Sequence, residues 1–248
     1  MASTSEPDFP ADDGSPKGAS RVTEIPLFPL ELVLFPYMIL PLHIFEERYK
    51  EMVNRCVEED IPFGIVLVTG VDAATGGVET GSIGCTARIQ RVEPLKDGRM
   101  NIEVEGKDRF RILDTHEQRS YRTALIEPFE DVAGDDQEMR PLVEEVQRLL
   151  KDFLMRSLAA MGQEIGDFDL PDDPRHLSYI AAGVLPVGNE DKMTLLTVRE
   201  TAQRLTVVRE FLLQEVTRLR RAAETREQNE TVWKRLESDV YDAYVCPN

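Results

Sequence analysis

A chain of 248 residues, 42% hydrophobic and 30% charged, has the make-up of a soluble globular protein and room for one large domain or two modest ones. A net charge of -17 and a pI near 4.7 argue against wholesale binding of nucleic acid, whose phosphates such a surface repels. The three cysteines, Cys56, Cys85 and Cys246, are far apart and form no CxxC, which points away from a zinc or redox motif and towards a reducing cytoplasm.

Residues 1–20, where Pro, Ser, Gly, Asp and Ala prevail, read as a disordered leader without the basic start and apolar run of a signal peptide. Order is expected from Val22. Residues 25–45 are apolar enough to suggest a membrane span, but Pro26, Pro29, Pro36 and Pro41 would each break helical bonding and Glu31 would sit at mid-depth. Short extended pieces at 25–28 and 38–40 about a turn at Phe35-Pro36-Tyr37 are expected instead. A helix over 45–58 follows, with Phe45, Tyr49, Met52, Val53 and Cys56 on one face and Glu46/Lys50 and Glu51/Arg55 as i,i+4 pairs.

From 63 to 129 the pattern is β. Residues 63–68 form a continuous apolar run, 71–81 a Gly- and Thr-rich loop, and Cys85, Ala87 and Ile89 alternate with polar residues. Asp97-Gly98 marks a hairpin, and residues 102–104, 110–112 and 121–126 continue the sheet. Many short strands and one helix suggest a small β barrel or pseudo-barrel. Composition changes at 131–136, after which a wide apolar stripe from Met139 to Leu154 predicts a helix capped by Asp136. A loop over 162–174, a helix over 175–184, a short helix capped by Asn189, and a capping box at Thr197-Val198-Arg199-Glu200 come next. The box opens a long helix with Leu205, Val208, Leu212, Val216 and Leu219 inward. The division expected is 1–20 leader, 21–130 β barrel, 136–222 helical subdomain, and 223–248 a charged, partly helical tail bearing Trp233, Leu236, Val240 and Tyr244 at helical spacing.

No GxxxxGK[ST], GxSxG or HExxH occurs, so neither a nucleotide loop nor a familiar hydrolase motif is present, and no cofactor is expected. His176 and Ser178 are two apart, on different faces of a helix. His43 and His116 are isolated. The crowding of Phe28, Phe35, Tyr37, Met38, Ile39 and Phe45 about the prolines reads mostly as core, while Tyr37 and Met38, beside the Pro36 turn, are candidates for an exposed patch.

Ile25-Pro26-Leu27-Phe28-Pro29-Leu30 running on to Phe35-Pro36, then Leu40-Pro41-Leu42-His43-Ile44-Phe45-Glu46-Glu47-Arg48-Tyr49, resemble the opening of the Lon protease amino-terminal, substrate-binding domain family. Ile83-Gly84-Cys85-Thr86-Ala87-Arg88-Ile89, Asp97-Gly98-Arg99, Val104-Glu105-Gly106 and Tyr121-Arg122-Thr123-Ala124 continue the likeness in order. Tyr37 stands where many members carry Gly. The resemblance implies an α+β fold, a PUA-like β pseudo-barrel with one main helix followed by an α-helical bundle. It also implies binding of unfolded or flexible polypeptides, without the ATPase or protease that full Lon proteases carry further along. The expected site is the edge near the Pro36 turn and the first helix, with Tyr37 and Met38 as apolar contacts, Glu47 and Arg48 as flanking charges, and Phe45 included although its place on the helix stripe favours the core. A protease or chaperone partner is left open; no metal, nucleic acid or membrane is expected. The alternatives are an RNA-related protein, since PUA-like folds are also used that way, and a hydrolase of unrecognised type.

Overall fold

The computed structural model describes residues 22–71, 78–132, 134–163, 166 and 168–245, with side chains as far as 226 and at 228. The strands are β1 (Thr23–Leu30), β2 (Ile39–Ile44), β3 (Phe63–Val71), β4 (Val78–Pro94), β5 (Met100–His116) and β6 (Thr123–Pro128). The helices are α1 (Glu47–Glu58), α2 (Asp136–Ala160), α3 (Pro174–Val184), α4 (Asn189–Thr197) and α5 (Thr201–Val245). The architecture is α+β: among the described residues, one mixed sheet with five helices. Among the described residues no helix is long and apolar enough to cross a membrane.

Sheet pairing follows from the length of β5. One of its sides pairs with β4; the other pairs with β2 through its first half and with β6 through its second. β6 pairs with β1, β1 runs parallel to β3, and β3 returns to β4. The strands β1, β3, β4, β5 and β6 therefore form a hydrogen-bonded ring, and β2 hangs outside it, paired among the described strands with β5 alone. Ile25, Leu27, Val66, Phe110, Ala124 and Ile126 fill one buried cluster. A Cβ on Gly64 or Gly84 would lie 2.6 Å from the Phe110 ring, so the aromatic depends on bare backbone at both positions.

The apolar face of α1 (Tyr49, Met52, Val53, Cys56) packs with Phe28, Ile44, Phe63, Ile65 and Val104 in a second cluster. The largest cluster joins α2, α3, α4 and α5 to Val33, Phe35, Leu67, Ile83 and Phe129 of the β region. A core shared in this way gives the helices a wall made by the strands.

Several local expectations give way to other arrangements. α1 starts at Glu47, two residues late, and Phe45 lies off its buried face. Asp135, not Asp136, caps α2 by accepting from the Gln137 amide. Gly188 holds the N-cap of α4, and Asn189 Nδ2 donates to the Glu31 carbonyl instead. Thr197 closes α4, its hydroxyl donating to the Thr194 carbonyl, so the capping box does not form and α5 begins at Thr201. The backbone of α5 passes through 222 and 223 unbroken to Val245. The stripe of Trp233, Leu236, Val240 and Tyr244, and the Gly76-Gly77 part of the β loop, lie outside the residues whose side chains or backbone are described.

Candidate functional site

The Phe35-Pro36-Tyr37-Met38 segment is a tight turn closed by Met38 N donating to Phe35 O at 3.2 Å. Pro36 presets the first central position, and Tyr37 takes the second with φ 67°. That position favours Gly, because an L side chain there crowds its own backbone by about 1–2 kcal/mol. Tyr37 N then donates to Gly106 O (2.7 Å) while Gly106 N donates to Met38 O (2.9 Å), so two residues of one chain oppose one of the other. This is a bulge of the type that places a left-handed residue first. Gly106 cannot be replaced without displacement: a Cβ there would sit 2.1 Å from Phe35 O.

The bulge fixes the phase of β2. Leu40, Leu42 and Ile44 stand opposite Val104, Ile102 and Met100 and face inward. Ile39, Pro41 and His43 are exposed, opposite Glu105, Glu103 and Asn101, and Phe45 continues their alternation just past the strand. Ile39 is 50% exposed and Phe45 60% exposed, large values for such side chains. The alternate N–H and C=O groups of β2 that do not face β5 have no strand partner among the described residues. Pro41 sits at one of these outward positions, where its missing N–H breaks no ladder bond. Beside the apolar row run Glu103 and Glu105, and behind them Arg91 and Arg88. His43 bridges the rows: its Nδ1 lies 2.8 Å from Asn101 Oδ1 and its ring stacks near Phe45 at 6.2 Å.

The site residues expected from sequence fall at the two ends of this strand. Tyr37, 36% exposed, stands before it, with its ring 4.0 Å from that of His176. Phe45, Glu47 and Arg48 stand after it, with Glu47 bonded to Lys50 and Arg48 to Glu46. At about 3.3 Å per residue the two groups are roughly 25 Å apart. Met38 is corrected: it is half-buried and packs against both the helical and the α1 clusters, because the bulge turns its side chain inward. Phe45 is corrected the other way, exposed because α1 starts after it. Ile39, Pro41 and His43 were not among the expected contacts. The alternation in Ile39-Leu40-Pro41-Leu42-His43-Ile44-Phe45 was visible, but apolar residues occupy both phases, so only the bulge decides which set is outside.

A charged cluster lies at the junction of strands and helices. Asp131 Oδ1 accepts from Arg204 Nη1 (2.8 Å), Arg109 Nη2 (3.0 Å) and the Tyr179 hydroxyl (3.0 Å); Oδ2 accepts from Arg175 Nε (2.7 Å). Arg109 also donates to the carbonyls of Leu196 and Val198, at the negative end of α4. Burial pushes the Asp131 carboxyl up, but Arg204, Arg109 and the Tyr179 hydroxyl outweigh it and hold it below its ordinary value. Ser178 Oγ accepts from Arg204 Nε and donates to the Arg175 carbonyl, whereas the His176 ring lies on Tyr37, so these two do not meet as a base and nucleophile. Among the described residues no group of three His, Cys, Asp or Glu could hold a metal ion. Cys56 and Cys85 are buried thiols; burial raises Cys56 to about 11, far from a reactive thiolate.

Residues 24–214 match the family model described as the ATP-dependent protease La (LON) substrate-binding domain. The chain is 25% identical over 235 residues to the Lon protease of Escherichia coli K12, covering 93% of this chain and 29% of that protein. It is 28% identical over 223 residues to the Lon protease of Trichlorobacter lovleyi, covering 86% and 26%. It thus spans less than a third of the length of the curated relatives it matches. In fold it is similar to the crystal structure of a Lon N-terminal domain protein from Xanthomonas campestris (TM-score 0.52, 22% identity, 74% of this chain and 95% of that one). It is also similar to the N-terminal domain of the Mycobacterium avium complex Lon protease (TM-score 0.57, 17% identity, 77% and 98%).

Proposed function

The chain belongs to the ATP-dependent protease La (LON) substrate-binding domain family, and on that premise we propose that it binds unfolded or flexible polypeptide segments along the outer edge of β2, without catalysis, cofactor or ATP. The observation that carries this is the exposed row of Ile39 and Pro41 on β2 and Phe45 just past it, on a strand whose outer side has no strand partner among the described residues. An extended segment can add its backbone to such an edge and set alternate side chains against the row. Because side-chain identity matters little to backbone pairing, recognition of this kind is loose, as suits a receptor for many sequences.

The occupant is an extended segment whose row-facing residues, every second one along it, include both apolar and basic side chains. Apolar side chains meet Ile39 and Phe45, and cations meet Glu103, Glu105 and the field of a chain with net charge -17. Each apolar anchor contributes about 1–2 kcal/mol, and ordering a flexible segment offsets part of that, giving affinities on the order of micromolar. Glu47 and Arg48 flank the far end and Tyr37 the near end, while Met38 supports from within. We read the closed ring as a PUA-like pseudo-barrel, the helices as its companion bundle, and the working compartment as the cytoplasm, where the clients are handed to or withheld from a protease or chaperone.

The test is fluorescence polarisation of labelled, reduced casein with the intact chain and with Ile39→Lys and Phe45→Ser. Both variants should melt like the unmodified chain and bind at least several-fold more weakly. Unchanged binding by both would place the binding surface elsewhere.

A further inference from the structure

The Asp131 cluster holds three guanidiniums against one carboxylate. Two of them, Arg109 and Arg204, are buried, and their remaining bonds go to Leu196 O, Val198 O, Ser178 Oγ and Thr201 Oγ1. Arg175 differs. Its side chain is 44% exposed, and it meets Asp131 through Nε, which leaves both terminal nitrogens outside that contact. A guanidinium fixed at its base by one carboxylate is preorganised to receive a second oxyanion. Tyr37 stands beside it. The Tyr37 ring packs on His176, the residue after Arg175, and lies 6.4 Å from the ring of Tyr179, whose hydroxyl donates to the same Asp131. Tyr37 is also two residues from Ile39, so this cation marks the end of β2 at which the free edge begins.

We propose that Arg175, backed by Asp131 and flanked by Tyr37 and His176, binds the C-terminal carboxylate of a peptide lying antiparallel along the free edge of β2. The inference rests on the edge reading given above. Direction follows from charge: an antiparallel peptide brings its carboxylate to this end, whereas a parallel one brings an ammonium against Arg175. A terminus is favoured over an acidic side chain because the edge stops here. Tyr37 N is already bonded to Gly106 O and Met38 N to Phe35 O, and Pro36 has no N–H, so a visiting backbone meets no free donor from Met38 back to Pro36. A chain that ends at this point leaves its two carboxylate oxygens beside the guanidinium.

The experiment uses the intact chain and a seven-residue peptide of valine and lysine, with both among its row-facing residues, labelled at its N-terminus. It is made as the free acid, as the C-terminal amide, and as an amide ending in aspartate. Polarisation should show the free acid binding on the order of tenfold more tightly than the amide, the worth of one charge-assisted pair. Arg175→Gln should remove that difference, and Arg175→Lys should restore part of it. Equal binding of acid and amide, both weakened by Ile39→Lys, overturns the carboxylate site and leaves the edge reading intact. Indifference of every peptide to Ile39→Lys overturns both. An aspartate-ended amide as tight as the free acid overturns the assignment to a terminus. The acid-to-amide comparison on the unmodified chain needs no variant, so it decides the matter even if Arg175→Gln fails to fold.

Discussion

Arg204 reaches Asp131 across 2.8 Å with its side chain wholly buried, joining the first turn of α5 to the segment that leaves the sheet. Removing the carboxylate strands that charge beside a second buried guanidinium, Arg109. Asp131→Asn should therefore lower stability by about 3 kcal/mol, the scale seen when one partner of a buried pair is deleted. Urea denaturation followed by tryptophan-independent far-UV circular dichroism measures it; a loss under about 1 kcal/mol would mean the arginines find other partners.

The same carboxylate gives the fold an acid limb. Its folded-state value is held below the ordinary one, so its contribution is fully present above the unfolded carboxylate value near 4 and is lost as pH falls through the folded value. Melting curves of the unmodified chain and Asp131→Asn should differ most at neutral pH and converge below about pH 4. A gap that stays constant to pH 2 would assign the effect to shape and not to charge.

Much of this was legible in the sequence, and the failures have causes. The α1 stripe, the hairpin at Asp97-Gly98 and the long apolar run of α2 are local patterns, and local patterns survive folding. What could not be read was the phase of β2, since Leu40 and Pro41 are both apolar and the choice is made by Gly106, more than sixty positions away. The Asp131 cluster was equally hidden: Arg109, Arg175 and Arg204 lie on three elements, and arginine in a β segment reads as an outward charge. The capping box failed because α4 consumed its Thr197.

Tyr37 and Met38 should differ in what they tolerate. Tyr37→Gly relieves a left-handed side chain while losing the His176 contact, so stability should stay within about 1 kcal/mol. Tyr37→Val, β-branched at that φ, should cost about 2 kcal/mol. Met38→Ser should cost about 2 kcal/mol or more, because the side chain packs on two clusters. Denaturant midpoints of the three variants check the ranking, and a neutral Met38→Ser would contradict its inward placement.

Gly106→Ala should be worse than any of these in relation to its size. One methyl would meet Phe35 O at 2.1 Å, so the turn or β5 must shift. A stability loss of about 2–3 kcal/mol is expected, together with weaker client binding as the phase of β2 loosens. Amide exchange of Leu40 and Leu42 is the direct readout: it should quicken in the variant, and unchanged protection would show the bulge to be dispensable.

Because the ring of five strands closes without β2, the outer side of that one strand can be altered while the ring keeps every one of its own rungs. An open margin of that kind also invites copies of the same chain to stack on it. Pro41, seated midway along the outward groups, interrupts the run of donors that a growing fibril would require. Pro41 thus guards the margin against becoming a template, and exchanging Pro41 for valine is the change that should turn this edge into a self-assembling surface.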